Sequence, residues 1–239
     1  MPPSAVIAGQ LDAVRRRLSA AAQRAHRNPA DIQLVAVSKT FGLESIREAS
    51  AAGQRHFGEN RVQEGLNKVG ALRDLALDWH LIGHLQSNKA RKAAEAFSWI
   101  ESVDSLDLLR KLDQAAAAAG TRPTILVQVD LAHEATKFGA DEHAVADLVR
   151  AALDARALTL AGLMTVPPFP TRPEDSRPWF RRLRDVRDGL VASGVPAGRL
   201  KELSMGMSHD FEVAIEEGAT IVRVGTAIFG RRVPAPPEE

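Results

Sequence analysis

The 239-residue chain contains no cysteine and no tyrosine. Without thiols there is no disulfide framework, no thiolate zinc site, no iron–sulfur cluster and no cysteine nucleophile. Without phenols, no mechanism can use a tyrosine as acid or base. Lysine is scarce, at seven residues. An excess of one charge is also lacking. Lys and Arg number 31 against 30 Asp and Glu, a net of +1. A dedicated nucleic-acid binder carries a concentrated basic surplus, so no nucleic acid is expected as partner. No apolar run approaches the ~18 residues that span a bilayer, so no membrane partner is expected either. The opening Met-Pro-Pro-Ser lacks the charged start and apolar stretch of a signal peptide, and a cytoplasmic location is expected.

What is present is an ordinary soluble composition, 45 % hydrophobic and 26 % charged. The basic clusters Arg15–Arg17 and Arg181, Arg182, Arg184 and Arg187 are interleaved with apolar residues at helical spacing, and read as solvated helix faces. Residues 4–27 read as an amphipathic helix with Ile7, Leu11, Val14 and Leu18 on one stripe. Residues 32–37 form a short apolar run rich in β-branched residues, as suits a parallel strand covered on both faces. The alternation then repeats. Strands are predicted at 54–57, 78–82, 97–101, 123–130, 158–164, 199–203 and 220–224. Helices are predicted at 42–52, 61–75, 87–96, 105–119, 141–155, 174–193 and 208–217. Eight strands alternating with helices in ~200 residues predict an α/β protein with a single (β/α)8 TIM barrel. An open doubly wound sheet is the runner-up, but no Gly-x-Gly-x-x-Gly follows the first strand. The expected organisation is an N-terminal helix over 1–30 packed on the barrel, the barrel over 31–232, and a disordered tail over 233–239. A proline-rich loop is expected over 167–178.

Most lysines lie in helical patterns, where the charge faces water. Lys39 instead follows the first strand. Alternation puts Gln33, Val35, Val37 and Lys39 on one face, and the more apolar Ile32, Leu34 and Ala36 on the other. Lys39 is therefore expected to point to the barrel axis, at the carboxyl rim where barrel enzymes build their sites. Such a lysine is either a Schiff-base candidate or a salt-bridged rim residue. Leu203-Ser-Met-Gly-Met-Ser208 reads as a Gly-containing loop opening a helix, with Ser204 and Ser208 as hydroxyls for an anion, or Ser208 as the helix N-cap. Arg223-Val-Gly-Thr226 follows the eighth strand, and barrel phosphate sites use the loops after strands seven and eight. A buried Arg223 needs a partner: phosphate, a carboxylate or an acceptor nitrogen.

Other candidates carry less. His80 and His84 sit in a strand–Gly–loop pattern without the shared helical face of a zinc pair. His133-Glu134 and His209-Asp210 read as surface polar or capping residues. Gly58-Glu-Asn60 reaches toward the rim. No nucleophile elbow or P-loop occurs. A strand-one lysine with a phosphate cup suggests a phosphate-bearing aldehyde. Pyridoxal 5'-phosphate (PLP) fits, and a Schiff-base aldolase acting on a sugar phosphate would use similar parts.

Ala36-Val-Ser-Lys-Thr40, Phe57-Gly-Glu-Asn60 with Gln63-Glu64, Trp79-His-Leu-Ile-Gly-His-Leu-Gln-Ser-Asn-Lys89, Gly162-Leu-Met-Thr165, Leu203-Ser-Met-Gly-Met-Ser208 and Arg223-Val-Gly-Thr-Ala-Ile-Phe-Gly230 occur in order along the chain. In these motifs, over about residues 5–230, the sequence resembles the pyridoxal phosphate homeostasis protein family, single-domain proteins with an alanine-racemase-like (fold type III) barrel. The resemblance implies a PLP Schiff base at Lys39. It implies phosphate contacts from Ser204 and the Gly225-Thr226 backbone, and Arg223 facing the pyridine nitrogen. It also puts Asn60, His80 and Met205 close to the cofactor. Residues 131–139 depart from the family's asparagine-rich wording. The function implied is intracellular homeostasis of this vitamin B6 cofactor: reversible binding, buffering or delivery, with apo PLP enzymes as recipients. The expected protein is a monomer without robust turnover. The alternative is a PLP-dependent amino-acid racemase. Alanine racemases take their second base from a tyrosine and complete the site with a second domain, and this chain has no tyrosine.

Overall fold

A computed structural model describes residues 3–132 and 138–230. The strands are β1 (Gln33–Val37), β2 (His56–Glu59), β3 (Asp78–Leu81), β4 (Trp99–Val103), β5 (Thr124–Asp130), β6 (Ala140–Asp141), β7 (Thr159–Met164), β8 (Glu202–Met207) and β9 (Ile221–Val224). The helices are α1 (Pro3–Arg24), α2 (Leu43–Ala51), α3 (Val62–Ala71), α4 (Ala90–Ala96), α5 (Leu106–Ala119), α6 (Glu142–Leu153), α7 (Arg177–Ala192), α8 (Phe211–Glu216) and α9 (Thr226–Phe229). Every strand pairing is parallel. β1 pairs with both β2 and β9, and β4 pairs with β5, so eight strands close into a barrel. The two-residue β6 lies outside that circle, paired to the carboxyl end of β5. The tail over 233–239 and His133-Glu134 lie outside the described residues.

Period-two alternation sorts the strands as the β1 pattern predicts. Val35, Leu126, Met164 and Ile221 form a small core inside the barrel. Leu34, Ala36, Leu163, Leu203 and Val222 belong to the much larger core between barrel and helices. α1 lies across α8, α9 and α2, with Leu11, Val14 and Leu18 buried. Its arginines reach back to the barrel's last helices: Arg17 bonds Glu212 and Arg24 bonds Glu216. Arg177, Arg181 and Arg184 all meet the carboxylate of Glu217. The two basic clusters are thus tied in part to neighbouring helices rather than purely solvated.

Two boundaries differ from expectation with consequences for the site. The strand predicted at 199–203 is Glu202–Met207, so the Ser-Met-Gly-Met motif is strand rather than loop. A register shift against β9 between Ser204 and Met207 accommodates Gly206, whose φ is +91°. A proline run also proves shorter than expected as a loop. Pro173–Ser176 is a 3-10 turn and Pro178 sits in the first turn of α7, where a missing N–H costs nothing.

Gly162 marks a close approach in the barrel wall. A Cβ there would lie 1.8 Å from the Glu202 carbonyl oxygen on β8. Gly162→Ala is therefore expected to destabilise the fold by about 3 kcal/mol, at the upper end for overpacking. A urea midpoint equal to that of the parent would contradict this reading of the β7–β8 contact.

Candidate functional site

A cavity of about 670 Å³ opens among the carboxyl ends of the barrel strands. Lys39, Asn60, Ser208, Arg223, Gly225 and Thr226 line it. Lys39 leaves the end of β1 on the inward face, in a turn that gives Thr40 a φ of +70°. A threonine is unfavourable in that left-handed region, so the turn needs external support. The support comes from a buried cluster on the helix side. Lys68 Nζ donates to the Ser38 carbonyl at 2.8 Å and forms ion pairs with Glu59 and Glu64. The Ser38 hydroxyl donates to Glu59 at 2.6 Å, and the Thr40 amide donates to Glu64 at 2.6 Å. Burial pushes the Glu59 carboxyl up despite the Lys68 and Ser38 hydrogen bonds. Less buried, Glu64 is held below the usual carboxylate range: burial opposes this, but Lys68 and the Thr40 amide outweigh it. Lys68, Glu59 and Glu64 thus pin the chain on both sides of Lys39.

Beside Lys39, the loops after β8 and β9 interlock, β9 being the direct neighbour of β1. The Ser208 hydroxyl accepts from the amides of Gly225 and Ala227, at 3.1 and 3.4 Å. Ser208 is therefore not the cap of α8, which starts after Asp210. The buried Asp210 carboxylate accepts from the Met207 amide and the Ser176 hydroxyl, both at 2.7 Å, and ties the proline-rich segment to this loop. At Gly206 a Cβ would approach Ala214 Cβ to 2.5 Å, in a backbone conformation that already favours glycine. Exposed Phe169 stacks on His209 at the mouth of the cavity.

Three residues expected beside a ligand are not in the cavity lining. Ser204, Met205 and His80 are fully buried. Met205 faces outward, into the core between barrel and helices, because it has the opposite strand parity to Ser204. Ser204 and His80 face inward but sit one layer below the cavity floor. There they belong to a polar column that the sequence did not reveal. The Arg223 guanidinium donates to the Ser204 hydroxyl and to the Thr165 carbonyl. Ser204 in turn donates to Glu101, and Arg223 Nη1 lies 3.9 Å from the same carboxylate oxygen. The other Glu101 oxygen is 2.7 Å from His80 Nδ1. His80 Nε2 meets Gln33 Nε2 at 3.3 Å and His56 Nδ1 at 3.2 Å. Trp99 stacks on the His80 ring. Burial alone would raise Glu101, but the His80 hydrogen bond, the charges of His80 and Arg223, and Ser204 together hold it low. Glu101 lies in a strand expected from the sequence, yet nothing local marked it as a partner of Arg223.

The chain matches the alanine racemase N-terminal domain model over residues 10–233. It is 44 % identical over 223 residues to the pyridoxal phosphate homeostasis protein of Aquifex aeolicus, covering 93 % of this chain and 97 % of that one. The chain belongs to the pyridoxal phosphate homeostasis protein family. Its fold matches the PLP-bound structure of PipY from Synechococcus elongatus, a protein 43 % identical, with a TM-score of 0.83 over 94 % of this chain and all of that chain. An alanine racemase from Clostridium difficile shares the fold at a TM-score of 0.71, with 16 % identity over 96 % of this chain and 57 % of that chain. The polar column of this chain reaches from the cavity floor to the amino-terminal mouth of the barrel, where half-buried His56 stands 3.8 Å from Asp78.

Burial and the neighbouring His80 hold the His56 imidazole below its ordinary range. The unfolded chain then binds a proton before the folded one does. Stability should fall as pH drops below about 6.5, the free imidazole value, toward the lowered folded value. His56→Gln is expected to flatten that part of the curve of unfolding free energy against pH. Superimposable curves for parent and variant would refute the lowered value.

Proposed function

We propose that the protein binds PLP reversibly, with Lys39 as the attachment point, and that it buffers or delivers this cofactor without robust turnover of its own. The observation that carries this reading is that one cavity is lined together by a strand-end amine, a hydroxyl-and-amide cradle and a guanidinium. When bound, PLP supplies a reactive aldehyde that condenses with amines. The residues fit that group. Lys39 Nζ would hold the aldehyde carbon. Ser208 and the Gly225-Thr226 backbone would hold the phosphate, Ser208 taking the role first assigned to Ser204. The amides bonded to Ser208 already converge at the start of the short helix α9.

Arg223 would donate to the pyridine nitrogen. Burial lowers its affinity for a proton, opposed by Glu101 and Asp210, but an arginine in that range stays charged. As a permanent donor it would leave the ring nitrogen without a proton and make the ring a weaker electron sink. Asn60 would stand beside the ring. The names of the relatives and the PLP-bound PipY structure support this reading. The missing phenol supports a carrier over a two-base racemase. The protein would act as a cytoplasmic monomer and pass PLP to apo enzymes.

Lys39→Ala is expected to abolish the visible absorption of the PLP-loaded protein and the mass added after borohydride reduction. Retention of both would reject Lys39. Ser208→Asp sets a carboxylate in the cradle, and should weaken PLP retention by at least about tenfold, roughly 1.4 kcal/mol. An unchanged dissociation constant would move the phosphate elsewhere. Alanine racemisation by the loaded protein should stay well below about 1 s⁻¹, the low end of ordinary enzymes. Turnover above that would overturn the carrier reading in favour of a racemase.

A further inference from the structure

Arg223 has five N–H donors and is buried in the barrel interior, where they need protein partners. Its pose is set from beneath. Nη2 is spent on the Thr165 carbonyl, and Nη1 on the Ser204 hydroxyl. That hydroxyl accepts from Arg223 with a lone pair and donates its own proton onward, to Glu101. Glu101 is fully buried and is held in turn by His80 from β3. The charged and titratable groups around this carboxylate are thus His80, then His56 and Asp78 behind it, and Arg223 with Asp210 beyond. Gln33 closes the column from β1.

The geometry points to Glu101 as a positioning residue for the cavity. Through Ser204, and by its charge, it locks the Arg223 guanidinium in one pose at the cavity floor, with His80 fixing the carboxylate from the other side. This rests on the reading that Arg223 meets the PLP ring. Glu101 does not line the cavity, so it acts only through Arg223. Glu101→Gln keeps the size of the side chain but leaves Arg223 a buried cation without Glu101's charge, with Asp210 beyond as its remaining counter-charge. The guanidinium then loses its fixed orientation.

The clamp itself is read without PLP, from the Arg223 guanidinium N–H signals in the NMR spectrum of the full chain. In the parent these should be separate and slow to exchange. In Glu101→Gln they should merge or exchange away, and Glu101→Asp should restore them in part. Signals unchanged in Glu101→Gln would overturn the proposal. PLP binding supplies the second reading. Glu101→Gln should weaken PLP about tenfold, the scale of a charged hydrogen bond, and shift the absorption maximum of the bound cofactor. In an Arg223→Gln background the same change should have no further effect, because a residue acting through Arg223 has nothing left to position. Additive losses would overturn the proposal. If Arg223→Gln alone leaves PLP binding and absorption untouched, the ring assignment fails while the guanidinium signals still test the clamp. Should Glu101→Gln not fold, Ser204→Ala breaks the same bridge with the charge retained, and the same merging of the Arg223 signals is expected.

Discussion

A guanidinium inside a β-barrel needs a counter-charge, and the interior of this barrel is arranged around that need. Arg223 rises from the strand next to β1 and reaches the cavity floor. Removing its charge from water is costly unless a carboxylate and hydrogen-bond acceptors are supplied. Glu101, Ser204 and the Thr165 carbonyl supply them, and His80 completes the carboxylate. The apolar interior core is correspondingly small, with four buried side chains. Much of the remaining interior is polar and hydrogen-bonded, as buried polar groups must be.

A second buried cluster does for the amine what the column does for the guanidinium. Lys68, Glu59 and Glu64 sit outside the barrel wall, yet their bonds end on Ser38 and Thr40, the neighbours of Lys39. One Glu59 oxygen lacks a partner among the described residues, which accords with the raised value of that carboxyl. The left-handed Thr40 is held by these contacts rather than by its own preference. The amine and the guanidinium that line the cavity are therefore each anchored from outside it, and Ser208 lines the same cavity.

Strand parity was the most legible feature. Val35 turns inward with Leu126 and Met164, while Leu34 and Ala36 turn to the helices, as alternation from Gln33 to Lys39 predicts. The place of Lys39 at the carboxyl rim followed from the same logic, and those of Asn60, Arg223 and Gly225 from their positions after the second and eighth strands. Ser204 was misread because glycine in Ser-Met-Gly-Met resembles loop chemistry, whereas the strand runs through it with a register shift. That single boundary moved Ser204 from the cavity to the layer below, and turned Met205 to the helices. His80, which the resemblance puts close to the cofactor, bonds Glu101 beneath the cavity.

The partners that matter most are far apart in the chain. Glu101 and Ser204 are separated by 103 positions, and Lys68 reaches back 30 positions to Ser38. Local alternation and spacing carry no information about which inward residues meet across a barrel axis. The amino-acid pattern by itself determined the alternating strands and helices, the inward lysine at the end of the first strand and the exclusion of thiol and phenol chemistry. Closure of the barrel decided the rest: only when β4, β8 and β9 face one axis do Glu101, Ser204 and Arg223 come within hydrogen-bonding reach, and the electrostatic cost of burying an arginine is met by a residue that nothing nearby in the sequence identifies.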